Sequence, residues 1–168
     1  MLRSTNARDE DFLWEMLFYA SHSDEENGVE MDTISSNPDL TGYVTGWVEG
    51  GRLGVVAEWR SQRVGAAWLR ALSAGDRANP VYVDEATLEL AIAVLPELRG
   101  RGIGTTMMRW LLARVTSRVP AIVLSARLDN PAVRLYRRMG FETIGIVTNR
   151  VGTRSVKMLR RTGGSDGG

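Results

Sequence analysis

The sequence contains no cysteine and a single histidine among its 168 residues. Disulfides, thiolate metal ligands and a cysteine nucleophile are therefore excluded. No apolar run approaches the ~20 residues of a membrane-spanning helix, and no apolar segment typical of a secretion signal follows Met1. We therefore expect a cytoplasmic protein with no membrane partner and no metal centre.

Basic residues are scarce in the first third of the chain. Residues 1–50 hold 11 acidic residues but only two basic ones, Arg3 and Arg8, although the whole chain has a net charge of +1. A near-zero total disfavours a nucleic-acid partner. The asymmetry fits either an acidic surface near a cationic substrate and a basic one near an anionic cofactor, or solvated helix faces that differ in sign.

Length and patterning predict one mixed α/β domain. The size suits a single domain, which we place at residues 1–161, and the glycine- and serine-rich residues 162–168 are expected to form a disordered tail. Hydrophobic periodicity predicts the order strand, two helices, hairpin, strand, helix, strand, helix, two strands. The second helix is expected to start at Asn37-Pro38 and to end near Glu49.

Residues 88–94 alternate between large and small side chains and predict a strand. Leu88, Leu90, Ile92 and Val94 fall on one face, and Glu89, Ala91 and Ala93 fall on the other. The slim second face has two interpretations. It leaves room for a thin ligand arm beside a carboxylate, or it packs closely under a helix.

Four tryptophans, Trp47, Trp59, Trp68 and Trp110, are expected to lie on apolar faces.

Three glycines alternate with bulky residues in Arg99–Gly104, between this strand and a helix-like run. Glycine allows backbone N–H groups to turn toward a ligand, and a helix start adds unpaired N–H groups and a positive dipole end. The pattern therefore predicts a phosphate cradle. It is neither a Walker loop nor a dinucleotide fingerprint, because Thr105 follows Gly104 where lysine or a small residue is required.

Val94-Leu95-Pro96 followed by Arg99-x-x-Gly-x-Gly resembles motif A of the GCN5-related N-acetyltransferase (GNAT) superfamily, whose loop holds the pyrophosphate of acetyl-coenzyme A. Asn130–Phe141, which reads NPAVRLYRRMGF, resembles motif B of the same superfamily. Val133 stands where that pattern has alanine. The two motifs occur in the superfamily's order.

The resemblance implies the GNAT fold, of class α/β (α+β), with a mixed, mostly antiparallel sheet of six to seven strands and about four helices on both faces. It also implies an N-acetyltransferase that moves an acetyl group from acetyl-CoA to a primary amine, on a small molecule or a peptide, by direct attack in a ternary complex. The alternative is a non-catalytic acyl-CoA-binding regulatory module. Members of the superfamily often form homodimers, and none of these implications involves a metal.

The resemblance also implies roles for individual residues. Main-chain N–H groups of the loop would anchor the pyrophosphate, namely those of Arg99, Gly100, Arg101, Gly102, Ile103, Gly104 and Thr105. Main-chain groups of Ile92, Ala93 and Val94 would pair with the pantetheine arm, with the Val94 N–H polarising the thioester carbonyl.

Two side chains are candidates for proton transfer, and one of these and a third are candidates for cofactor binding. Tyr136 would contact the cofactor and be the general acid, unless it only packs its helix and bonds its hydroxyl locally. Glu89 would be the general base through a water, or else bind the substrate ammonium or a neighbouring residue. Asn130 would contact the pantetheine arm, cap the helix that follows, or do both.

Overall fold

The computed structural model describes residues 1–25, 28–47, 53–148 and 152–163. Strands and α-helices in these ranges are joined by short 3-10 helices. The strands are β1 (Leu2–Ser4), β2 (Gly54–Trp59), β3 (Gln62–Ala71), β4 (Leu88–Val94), β5 (Ala121–Arg127), β6 (Glu142–Thr148) and β7 (Arg154–Arg161). The α-helices are α1 (Glu10–Ala20), α2 (Ile103–Leu112) and α3 (Ala132–Arg138). No helix in the described ranges has the length and apolarity to span a membrane.

The seven strands form one mixed sheet in the order β1-β2-β3-β4-β5-β7-β6. Antiparallel pairs are β1 with β2, β2 with β3, β5 with β7, and β6 with β7. β4 and β5 are parallel, with Leu88 opposite Ile122 and Glu89 opposite Val123. The predicted mixed and mostly antiparallel sheet is therefore confirmed.

The β2–β3 hairpin closes through a two-residue turn. Arg60 and Ser61 have φ of 51° and 64°, which are the left-handed conformations of the tight turns that match the twist of paired strands. Trp59 is paired with Gln62 across this turn. The hairpin was predicted, although its turn is shorter than the four residues expected.

The chain divides into two compact units. The first comprises Met1–Arg70 and Ala91–Arg114. Its core is built from α1, β2, β3, β4 and the segment before β2, and it contains Phe12, Leu13, Met16, Leu17, Phe18, Ile34, Val44, Trp47, Val56, Ala66, Trp68, Ala91 and Ala93. The indole N–H groups of Trp47 and Trp68 donate to the carbonyls of Leu69 and Tyr43 at 2.8 and 2.9 Å. Both buried indoles are thereby satisfied.

The second unit comprises Ala71–Leu90 and Val115–Gly168. Leu72, Val81, Ala121, Val123 and Leu159 form its apolar cluster, with Tyr82 packed against them. At the end of the chain the Thr162 N–H donates to the Pro120 carbonyl at 3.0 Å. The last five residues of the predicted tail, 164–168, lie outside the described residues.

The predicted second helix is wrong in type. The described part of this segment, residues 37–47, contains a 3-10 helix at Thr41–Tyr43, and another 3-10 helix, Met31–Ser36, precedes the segment. One feature opposes an α-helix there. Gly46 has φ of +69°, which no α-helix interior adopts. The predicted end at Glu49 lies outside the described residues.

Candidate functional site

The end of β4 is fixed to its neighbour before the glycine loop begins. The Leu95 N–H donates to the Val64 carbonyl at 2.9 Å, and a 3-10 turn follows in which the Leu98 N–H donates to Leu95 at the same distance. Pro96 occupies the first position of that turn, where its missing N–H costs nothing. Arg99 then returns to extended backbone, so the chain enters the loop from a firmly held strand.

Two glycines of the loop need their lack of a side chain. Gly100 and Gly102 have φ of +74° and +82°, and a Cβ built on either one meets no atom within 4 Å. Left-handed backbone is costly for other residues, and the surrounding space is open. The loop therefore presents bare backbone on a side that the first unit does not fill.

The helix start that follows is left without a side-chain cap. Gly102 occupies the N-cap of α2, and the Thr106 N–H and hydroxyl both bond to the Gly102 carbonyl, at 3.1 and 2.9 Å. The three preceding N–H groups, of Ile103, Gly104 and Thr105, have no acceptor in the described part of the chain. Unpaired N–H groups and the positive end of the helix dipole suit an anion.

Apolar side chains on one face of α2 hold the helix against the core. Met107, Met108 and Leu111 are each 0% exposed, and they anchor the helix through apolar burial on one stripe. The predicted helix is confirmed, and its buried stripe leaves the N-terminal turn pointing away from the core.

Two exposed arginines of the loop carry positive charge beside these N–H groups. The Arg99 Nε donates to the Val94 carbonyl at 3.3 Å, and the Arg101 guanidinium lies 5.7 Å from the centroid of the Trp59 ring. Within the described ranges neither forms an ion pair with a carboxylate. Trp59 itself is 46% exposed, so its predicted place on an apolar face is wrong. The missed signal is its position immediately before a turn.

The alanine face of β4 is packed rather than open. Ala91 and Ala93 are 7% and 8% exposed and belong to the core of the first unit. A Cβ on Gly65 would lie 3.0 Å from both the Ala93 carbonyl and Met107 Cε. The small side chains therefore serve close packing, which was the second of the two interpretations. The predicted role of the main chain at Ile92–Val94 is a separate matter and stays a prediction.

Glu89 is buried at the start of β4. It is 2% exposed, within the second unit. An ionised carboxylate at such depth needs charged or hydrogen-bonding partners. The strand prediction placed Glu89 on the same face as the two alanines, and its burial agrees with that placement.

A side chain from the residues just before α3 caps the start of this helix. The Asn130 Oδ1 accepts from the Ala132 N–H at 2.9 Å, so the predicted cap is present. At the other end Gly140 has φ of +88°, and the Phe141 N–H donates to the Tyr136 carbonyl at 3.0 Å. This is the glycine-terminated helix end that the sequence predicted.

Tyr136 combines a buried ring with an unused hydroxyl. The residue is 7% exposed, and its ring meets Phe141 edge to face with centroids 6.2 Å apart. Within the part of the chain that the structure describes, the hydroxyl makes no hydrogen bond, so the local bond of the alternative interpretation is not observed. Burial raises the pKa of Tyr136 to about 12, and the phenol is therefore protonated at neutral pH.

A family comparison agrees with the loop and with both motifs. The model of the acetyltransferase (GNAT) domain family matches residues 55–143, which is more than half of the chain and covers β2 through the start of β6. The chain belongs to this family. It is a GNAT acetyltransferase, as motifs A and B predicted. No curated protein sequence matches it.

Solved structures share the GNAT acetyltransferase fold across nearly the whole chain. Ribosomal-protein-alanine N-acetyltransferase from Brucella melitensis has a TM-score of 0.69 at 22% identity, covering 96% of this chain and 99% of its own. The protein yncA from Salmonella typhimurium, solved with its cofactor acetyl-CoA, has a TM-score of 0.71 at 18% identity, covering 100% and 96%. An aminoglycoside 6'-N-acetyltransferase complexed with coenzyme A has a TM-score of 0.66 at 17% identity, and the match covers 98% of both chains.

Proposed function

We propose that this GNAT acetyltransferase moves the acetyl group of acetyl-CoA to a primary amine, by direct attack of the amine on the thioester in a ternary complex. The observation that carries the proposal is the bare backbone of Gly100 and Gly102 in front of the uncapped α2 start. A pyrophosphate suits that cradle, because a Cβ would occupy the space in which its oxygens meet the N–H groups. Structures similar in fold contain acetyl-CoA or coenzyme A.

Anchoring is assigned to the main chain of Arg99–Thr105, with the charges of Arg99 and Arg101 in support. Main-chain groups of Ile92–Val94 are assigned to the pantetheine arm, and the Val94 N–H to the thioester carbonyl. A donor that is fixed before the reaction stabilises the negative charge that develops on that oxygen without reorganising during the step. Anchoring at several points also holds the carbonyl in reach of the amine.

Two protons move in the reaction. The amine forms the new N–C bond and loses one proton, which we assign to Glu89 through a water. The C–S bond breaks, and the thiolate gains a proton, which we assign to Tyr136. Burial raises the pKa of Tyr136 to about 12, so the phenol is protonated at neutral pH and holds a proton for the thiolate. Tyr136 hydrogen-bonds to the sulfur as its charge develops and then gives it this proton.

Four classes of amine test the proposal: a polyamine, an aminoglycoside, an amino-acid amide and a peptide with a free N-terminus. Each is mixed with acetyl-CoA, thiol release is followed with a chromogenic disulfide, and the acetylated amine is identified by mass. Calorimetry with acetyl-CoA alone runs in parallel. We expect heat of binding and thiol release with at least one class. Binding without release by any amine would favour the regulatory module, and no binding at all would contradict the proposal.

A further inference from the structure

An exposed tryptophan meets two arginines at the tip of the β2–β3 hairpin. The guanidinium carbons of Arg60 and Arg101 lie 4.9 and 5.7 Å from the centroid of the Trp59 ring. Trp59 nevertheless remains 46% exposed. The left-handed turn at Arg60 and Ser61 folds Arg60 back toward the ring. Three separate elements, a strand end, a turn and the glycine loop, thus supply one cluster.

Among the described residues, no carboxylate neutralises the two positive charges of this cluster. Neither Arg60 nor Arg101 forms an ion pair with any of the described residues. Like charges gathered at one ring repel each other, and an anion between them would remove the repulsion. Arg101 also stands between the two open glycines, so such an anion would lie next to the cradle at the α2 start.

An exposed indole with two guanidinium groups that form no ion pair in the described part of the chain suits a phosphorylated nucleoside. Aromatic rings and guanidinium planes stack on bases, and guanidinium groups bind phosphate through paired charged hydrogen bonds. We propose that Trp59, Arg60 and Arg101 bind the adenosine 3'-phosphate end of acetyl-CoA, with the adenine packed on the indole–guanidinium cluster and the 3'-phosphate held by the arginines. This inference rests on the proposed use of acetyl-CoA.

A second tryptophan–arginine pair provides a matched control. The Arg114 guanidinium carbon lies 3.7 Å from the centroid of the Trp110 ring, and its Nη1 donates to the Trp110 carbonyl at 3.1 Å. This pair lies at the C-terminal end of α2, at the opposite end of the helix from the cradle. Replacing Arg114 removes the same charge from the same kind of contact without touching the glycine loop.

Calorimetry with coenzyme A and with 3'-dephospho-coenzyme A tests the proposal. Arg60→Gln is the decisive variant, because Arg60 lies outside the loop assigned to the pyrophosphate. We expect wild type to prefer coenzyme A, Arg60→Gln to reduce that preference about three- to tenfold, and Arg114→Gln to leave it unchanged. Trp59→Ala should weaken binding of both ligands about tenfold. Thermal unfolding of each variant verifies that the fold is retained.

The outcomes separate the two proposals. If Arg60→Gln binds coenzyme A with the wild-type preference over the dephosphorylated form, the adenosine-phosphate site is refuted while the proposed acetyl transfer stands. If wild type binds neither ligand, the proposed function itself fails, and the adenosine-phosphate site fails with it.

Discussion

The starts of α2 and α3 have opposite chemistry although both follow a strand of the same sheet. Asn130 lies just before α3, and its side chain accepts from the Ala132 N–H at 2.9 Å. α2 begins at Gly102, which has no side chain to offer and leaves three N–H groups without an acceptor in the described residues. One helix start is satisfied by a side chain of the chain itself, and the other leaves its first N–H groups available to a ligand.

The first helical segment of the chain, the 3-10 helix Ala7–Asp9, has an N-terminus that is fully capped by side chains. The Asn6 side chain accepts from the Arg8 N–H at 2.9 Å, and the Asp9 carboxylate accepts from the Asn6 N–H at 2.9 Å. Arg3 then donates two hydrogen bonds of 2.8 Å to the same carboxylate. In this segment side chains satisfy the helix start, whereas α2 begins with no side-chain hydrogen bond to its first turn.

Replacing Tyr136 is expected to give the largest effect, which is on kcat. At α3 the proposed functional group is a side chain that a substitution can remove, whereas at α2 it is the backbone. Tyr136→Phe keeps the ring and its packing against Phe141 but removes the donor to the sulfur. We expect kcat to fall about 100-fold or more, as for loss of a general acid, with acetyl-CoA affinity changed little. Steady-state kinetics and calorimetry measure the two quantities.

The matched control is Tyr82→Phe, which removes a phenol hydroxyl elsewhere in the second unit. It should retain wild-type kcat. Equal activity of the two variants would reduce Tyr136 to a packing residue and leave the thiolate to be protonated by solvent.

Asp9 is expected to give the next largest effect, on stability. Burial alone would raise the pKa of Asp9, but hydrogen bonds from Arg3 and the Asn6 N–H and the charges of Arg3 and Arg63 outweigh it and lower that pKa. Because its pKa is lower in the folded protein, ionised Asp9 stabilises the fold at pH values above its unfolded pKa of ~3.9. This stabilisation is lost as the pH falls through the folded-state pKa. We expect Asp9→Asn to cost about 2 to 3 kcal/mol at pH 7.

Urea unfolding at pH 7, 5 and 3 measures this contribution. The gap between wild type and Asp9→Asn should be constant from pH 7 to 5 and narrower at pH 3. Asp129→Asn is the control, since its ion pair with Arg127, at 2.9 Å, has a carboxylate side chain that is 71% exposed, and exposed pairs contribute ~1 kcal/mol or less. A gap that does not depend on pH would assign the effect of Asp9 to packing.

Gly102→Ala tests the open start of α2 directly. The new Cβ would enter the space in front of the helix start and would strain the left-handed backbone. Gly152 has the same φ of +82°, and a Cβ placed on it would likewise meet no atom within 4 Å, so Gly152→Ala repeats the strain away from the loop. We expect about tenfold or greater loss of acetyl-CoA affinity for Gly102→Ala, and none for Gly152→Ala, by calorimetry. Equal affinities would show that the cradle tolerates a side chain.

Local signals explain what the sequence could predict. β4 was predicted with the bounds Leu88–Val94 because alternation needs only neighbouring residues, and the structure has the same bounds. The glycine loop and α2 follow from backbone freedom and an apolar stripe. α3 follows from a capping residue at one end and a glycine at the other, which also act locally.

Other features depend on contacts distant in sequence. The alanine face of β4 had two equal interpretations until Gly65 and Met107 were placed beside Ala93. The 3-10 helix Thr41–Tyr43 lies where an α-helix was predicted, because the left-handed backbone of Gly46 outweighs a modest apolar periodicity. The cluster around Trp59 joins elements about 40 residues apart in sequence, so no local pattern indicates it.

The smallest expected effect is at the closed start of α3. Asn130→Ala should cost about 1 kcal/mol of unfolding free energy, the usual value of a lost cap. Asn130→Asp keeps an oxygen acceptor for the Ala132 N–H but has no amide donor. If Asn130 also donates to the pantetheine arm, Asn130→Asp should retain wild-type stability in urea while its acetyl-CoA affinity falls several-fold. Wild-type affinity in that variant would limit Asn130 to capping, and the contrast between a closed α3 start and a ligand-binding α2 start would then be complete.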